Sequence, residues 1–167
     1  MSKRIYLLCG PAGSGKSTWA KAHCHPVDGV IISRDEVRFS LVKENEEYFS
    51  KENQVFSQFV SAIRWAMDAE DYKEIYIDAT HLTRRSRDKI LFKLNLTNTL
   101  VIPVVFRTSL AKCLDRNGGR SGRARVPDAV VANMCDTFIE PTFKESIRYN
   151  KIIYVYDNGI EEEVSHG

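Results

Sequence analysis

The sequence predicts an α/β fold: a mostly parallel sheet covered by helices on both faces, three layers in all. Short apolar runs alternate along the chain with segments of helical periodicity. Each crossover between runs is too long for a hairpin, so successive strands run parallel and pack their helices back onto the sheet. The 167 residues suffice for one core, which by area scaling buries roughly 70% of the unfolded surface. With no internal repeat and no linker, residues 1–167 read as a single domain.

Ile5 to Cys9, closed by Gly10, reads as a buried strand, and Ser17 to Cys24 as the helix after it. Val30 to Ile32 is a second strand, followed by a helix over Asp35 to Val42. Between Asn53 and Met67, Phe56, Phe59, Val60, Ile63 and Met67 fall on one helix face, and Phe56, Phe59 and Trp65 are expected to pack into the core. Glu74 to Asp78 is a third strand, and Thr83 is placed to cap a helix that turns Ile90, Leu91 and Leu94 inward. Thr99 to Phe106 is the clearest strand, with a helix over Ser109 to Arg116 after it. Pro127 starts a helix whose Val130, Val131, Met134 and Phe138 face a core, and Lys151 to Tyr156 is the last strand.

At 43% hydrophobic and 28% charged residues the composition is that of a globular protein rather than a disordered one. No apolar run approaches the roughly 18 residues that span a bilayer, and the apolar stretch after Lys3-Arg4 is too short for a signal peptide. Cys9, Cys24, Cys113 and Cys135 form no C-x-x-C pair, so a reduced, cytoplasmic protein is the expectation. His23-Cys24-His25 lacks a second cluster at zinc spacing and is read as no metal site. The acidic run Glu161-Glu162-Glu163 is read as a solvated tail.

Gly10-Pro11-Ala12-Gly13-Ser14-Gly15-Lys16-Ser17, with Thr18 following, satisfies G-x-x-x-x-G-K-[ST] between a strand and a helix. Glycines at these positions let backbone N–H groups point inward around a triphosphate, and the helix start adds partial positive charge. Lys16 is assigned to the β/γ-phosphates, and the Ser17 hydroxyl to Mg²⁺. The expected donor is ATP, other nucleoside triphosphates being alternatives.

The acceptor side is read from residues near strand C-terminal ends, where open α/β sheets build their sites. Asp35 follows the second strand and is placed to accept the proton of an attacking hydroxyl; Arg38 shares its helix face and suits an acceptor phosphate. Asp78 ends the third strand, where an acid holds Mg²⁺ through water, and Thr80 lines the acceptor pocket. From Arg107 to Arg125, six cationic residues face one acid, Asp115, in a chain whose net charge is only +2. That segment reads as a lid, about residues 117–127, closing over phosphates.

The loop, then Ser33-Arg34-Asp35-Glu36-Val37-Arg38, Asp78-Ala79-Thr80-His81 and Arg116-Asn117-Gly118-Gly119-Arg120-Ser121-Gly122-Arg123, together resemble the P-loop polynucleotide 5'-kinase domains of phage and bacterial repair enzymes. Order and spacing agree over about 130 residues. The resemblance implies a kinase-like P-loop fold, without the phosphatase or ligase domains that often accompany it, and ATP-dependent transfer to the 5'-hydroxyl of an RNA or DNA end, held as a single strand. It implies Asp35 as general base, Arg38 on the phosphate 3' of the acceptor nucleotide, and Arg120 at the transferring phosphoryl group, with Arg116 and Arg123 beside it on the nucleotide. The chain departs from the family at His81, where an Asn is usual. The alternatives are a small-molecule P-loop kinase acting on a sugar nucleotide, sugar or antibiotic, and an ATP-driven switch module.

Overall fold

The computed structural model describes residues 2–167. Six strands, β1 (Lys3–Cys9), β2 (Gly29–Ser33), β3 (Glu74–Asp78), β4 (Thr99–Arg107), β5 (Lys151–Tyr156) and β6 (Glu161–Ser165), form one sheet in the order β2-β3-β1-β4-β5-β6. The first five are parallel; β6 returns antiparallel against β5. The helices are α1 (Lys16–His23), α2 (Arg34–Leu41), α3 (Glu52–Asp68), α4 (Arg84–Leu91), α5 (Leu110–Gly118) and α6 (Asp128–Thr137). This is the three-layer α/β architecture that the alternating pattern predicts.

The period of two along β1 separates the layers. Ile5, Leu7 and Cys9 face a core completed by Phe59 and Ile63 of α3 and Ile90 and Leu91 of α4. Leu8 faces the opposite side, with Trp19 and Ala20 of α1, Tyr76 and Phe106. Because β1 has a paired neighbour on each side and a packed layer on each face, its C-terminal end is firmly held. The loop that follows inherits that rigidity.

Local signals explain the helix starts nearest the site. Ser33 Oγ accepts the Glu36 N–H to start α2, and Thr83 makes a reciprocal capping box with Ser86 to start α4. Four expectations need correction. Glu161–Glu163 belong to β6 rather than to a tail: Asn158-Gly159, with Gly159 at φ 81°, turns the chain back, and Glu163 pairs with Lys151. Asn-Gly is a strong hairpin signal that the acidity of the run obscured. Trp65 is 61% exposed, lying on the solvent side of α3 against Tyr72. Pro127 caps α6 from outside rather than occupying its first turn. Val130 is exposed, while Val131 on the adjacent position is fully buried.

Candidate active site

The parallel register brings the C-terminal ends of β2, β3 and β1 side by side, with Ser33 opposite Asp78. From these three neighbouring ends emerge Asp35, Asp78 and the glycine loop. That is the crevice in which open α/β sheets bind ligands.

Gly10 to Gly15 connects β1 to α1. Gly13 and Gly15 adopt positive φ, 79° and 98°, and the turn requires glycine at both. A Cβ on Gly13 would sit 2.4 Å from the Cys113 carbonyl oxygen, and one on Gly15 would meet the Arg116 guanidinium at 3.0 Å. The N-terminus of α1 has no side-chain cap and no acid in its first turn. Its leading N–H groups have no intrahelical acceptors and stand ready for an anion. Inside the same loop the buried Ser14 Oγ has no partner among the described residues. Lys16 is buried and donates to the Pro11 carbonyl at 2.8 Å, arched over the loop. Burial lowers its affinity for a proton, Asp78 opposes that shift, Arg120 reinforces it and Asp35 opposes it, so both acids and the lid arginine act on this ammonium.

Ser17 Oγ donates to Asp78 Oδ2 at 2.7 Å, and Asp78 is buried. A hydroxyl and one carboxylate form an all-oxygen donor pair, the sparse protein contribution that Mg²⁺ takes when phosphates and water complete its shell. Loop and donor pair therefore fit a Mg²⁺-bound nucleoside triphosphate. Thr18 is exposed on the first turn of α1.

On the acceptor side, Asp35 and Arg38 meet as their spacing predicts: Arg38 donates to Asp35 Oδ1 at 2.9 Å. Two further residues, which the sequence reading missed, complete the group. Tyr48 donates to the same Oδ1 at 2.8 Å, and Glu52, at the start of α3, accepts from Arg38 Nε and Nη2 at 3.0 and 2.6 Å. Burial, then the Asp35 charge, push the Tyr48 phenol up to about 12, so it stays a donor. Burial works against the Arg38 charge, but the Glu52 hydrogen bonds, with Tyr48 and Asp35, more than offset it. Both bonds to Asp35 fall on Oδ1, leaving Oδ2 without a protein partner among the described residues, on a side chain that is 59% exposed.

Thr80 is half-buried beside the loop, its carbonyl accepting the Gly10 N–H at 2.9 Å. His81 is buried at φ 43° and donates Nδ1–H to the Leu8 carbonyl at 2.6 Å. Burial lowers its pKa to about 4; the Leu8 bond opposes that shift, and Arg34, Lys16 and Arg87 add to it. The imidazole is therefore a neutral strut between β1 and the segment after β3.

The segment expected to act as a lid is closed at its base. Buried Asn117 of α5 donates to the Val126 carbonyl and accepts the Val126 N–H, closing residues 118–125 into a loop with a single 3₁₀ turn at Gly122–Ala124. Arg116 donates to the Ser14 carbonyl at 3.0 Å and so reaches the phosphate loop. Arg120 lies within electrostatic range of Lys16. Arg123 does not join them. It donates to the Val42 carbonyl at the end of α2, and its guanidinium covers the Phe39 ring at 4.5 Å. The expected contact with the nucleotide is not formed here: Arg123 instead rests on Phe39 and the Val42 carbonyl. Among the described residues no cluster of three or more His, Cys, Asp or Glu forms a metal centre; His23 contacts the Trp19 carbonyl and Glu161 instead.

Sheet order, phosphate loop and the acid pair at the rim define a P-loop domain of the kinase-like α/β fold. Residues 5–141 match the AAA domain family AAA_33, and the chain belongs to it. Similar solved structures lie on both sides of the substrate question. A chain of the Pnkp1/Rnl/Hen1 RNA repair complex superposes with a TM-score of 0.67 at 19% identity, over 81% of this chain and 44% of that one. The chain thus spans less than half the length of that relative. A fungal RNA kinase gives 0.57 at 14% identity, over 92% of this chain and 75% of its own. A gluconokinase from Sinorhizobium meliloti 1021 gives 0.53 at 16% identity, over 93% and 82%. No curated protein matches the sequence. Among the described residues no helix is long and apolar enough to cross a membrane.

Proposed function

We propose that the domain is an ATP-dependent kinase that phosphorylates the 5'-hydroxyl of an RNA or DNA strand. One observation carries the reading: Asp35 is fixed through Oδ1 by Arg38 and Tyr48 while Oδ2 stays open, at a rim shared with the phosphate loop. A carboxylate held on one oxygen and open on the other is arranged to take a proton. Glu52 and Tyr48 orient Arg38, whose planar donor set suits the phosphate following the acceptor nucleotide. Likeness to an RNA kinase and to a chain of an RNA repair complex supports the same reading.

In this mechanism Asp35 Oδ2 accepts the 5'-hydroxyl proton as the oxygen attacks the γ-phosphorus in line. The new P–O bond forms while the bond to the β-phosphate oxygen breaks, giving a 5'-phosphate and ADP. Lys16, Arg116 and Arg120 offset the charge on the transferring group. Ser17 and Asp78 would hold Mg²⁺, which would supply charge neutralisation to the phosphates when bound. The fold shared with a gluconokinase favours a second reading, a small-molecule acceptor held by Arg38.

The test is label transfer from γ-labelled ATP with Mg²⁺ to 5'-hydroxyl RNA and DNA oligonucleotides, alongside nucleosides, sugars and sugar nucleotides. Label at the 5' end of oligonucleotides is expected. Label confined to a small molecule, from protein that binds ATP, would select the second reading. ATP hydrolysis indifferent to every hydroxyl acceptor would select a nucleotide-driven switch.

A further inference from the structure

A groove of about 960 Å³ runs between α4 and residues 146–148 on the helix-covered face away from α1. Arg84, Arg85, Lys89, Lys93 and Arg148 line it against a single carboxylate, Asp88. Arg84 is paired with Asp88 and Lys89 lies over the Phe56 ring, whereas Arg85, Lys93 and Arg148 make no ion pair among the described residues. The walls are fixed to one another: fully buried Arg87 of α4 donates to both oxygens of Glu145 at 3.0 and 2.6 Å, and Tyr149 donates to the same carboxylate. One large aromatic side chain lines it without cover, Phe92 at 89% exposure from the end of α4.

We infer that this groove is a docking track for the single-stranded polynucleotide whose 5' end occupies the Asp35 site, an inference that rests on the proposed acceptor class. The charge selects a polyanion, and an exposed aromatic ring among unpaired cations is the combination that holds single strands by phosphate contact and base stacking. Position gives the continuity. Asp78 and Thr80 at the acceptor rim lead through three residues to Arg84, the first residue of α4. From there α4 runs back along the sheet for eight residues, about 12 Å, which matches about four stacked nucleotides at 3.4 Å each. A mononucleotide at Asp35 is too short to follow the eight-residue length of α4.

The experiment compares wild-type protein with the triple variant Arg85→Glu, Lys93→Glu, Arg148→Glu, and with the milder Arg85→Gln, Lys93→Gln, Arg148→Gln should the first fail to fold. Binding of a 3'-labelled 20-nucleotide strand is titrated by fluorescence anisotropy at several salt concentrations, and label transfer is measured to that strand and to a nucleoside 3'-monophosphate. The triple charge reversal is expected to weaken strand binding at least about tenfold at low salt and to lower the salt slope by about 2, three phosphate contacts at about 0.7 each. Transfer to the mononucleotide stays unchanged. Phe92→Ala is expected to weaken strand binding at least about fivefold with no change in slope. Unchanged strand affinity and slope in the triple variant would overturn the inference. So would equal binding of a polyglutamate peptide of matched charge, which would make the groove a site for an acidic protein. Loss of strand binding in the variant, with no label transferred even by wild type, would retain the groove and refute the proposed reaction.

Discussion

The two halves of the site are built in different ways. The proposed donor half is backbone: six consecutive residues between β1 and α1, two of them glycines at positive φ, with N–H groups aimed by the helix start. The proposed acceptor half is side chain: Asp35 and Arg38 from α2, Tyr48 from the connection after it, and Glu52 from the start of α3, joined by hydrogen bonds of 2.6 to 3.0 Å. A backbone cradle recognises phosphate whatever is attached to it. A side-chain network can be rebuilt for another acceptor without disturbing the cradle, and the fold is shared with an RNA kinase and a gluconokinase.

This contrast predicts how damage spreads. The largest effect on the nucleotide parameters is expected from Lys16→Ala, because its buried ammonium serves both ATP binding and the developing charge: kcat/KM for ATP falls by about 10³. If acceptor KM changed more than the ATP parameters, the division into halves would fail.

His81, bonded across to Leu8, braces the rim under both halves, and its effect is one of stability. Its pKa of about 4 in the fold lies below the ordinary value, so the unfolded chain takes up this proton first. The stabilisation is whole above about pH 6.5 and is lost as the pH falls from there toward 4. Urea unfolding is expected to show about 2 kcal/mol more loss between pH 7.5 and pH 5 for wild type than for His81→Asn. Asn tolerates the φ of 43° and does not titrate. Equal pH dependence in the two proteins would mean that His81 is not neutral in the fold.

The smallest effect sharpens the comparison most. Glu52→Gln keeps the shape of the Arg38 anchor and removes its charge, so acceptor KM is expected to rise about tenfold while ATP affinity stays within a factor of two. A matching loss in ATP affinity would show that the acceptor network also shapes the donor half.

The same contrast explains what the sequence made legible. The loop was readable because its chemistry is contiguous, and Asp35 and Arg38 because they lie three residues apart on one helix. Tyr48 and Glu52 were not, since nothing local marks a tyrosine or glutamate as the partner of an arginine 10 or 14 residues earlier. Arg123, expected beside its neighbours on phosphate, lies on the 3₁₀ turn at Gly122–Ala124 and rests on Val42 and Phe39, a long-range contact that nothing local in the sequence marks. The parallel strands followed from unbroken apolar runs. β6 escaped the same reading because an exposed edge strand has no buried face to give it a period, and here its charges keep that edge soluble.

The central claim is that Asp35 serves the acceptor proton and not the nucleotide. Single-turnover transfer from ATP to a 5'-hydroxyl oligonucleotide should be measured beside the calorimetric ATP affinity, in wild type and Asp35→Ala. The account predicts a transfer rate lower by about 10² to 10⁴ with ATP affinity nearly unchanged. Full transfer activity in the variant, or a loss of ATP affinity equal to the loss of rate, would contradict it.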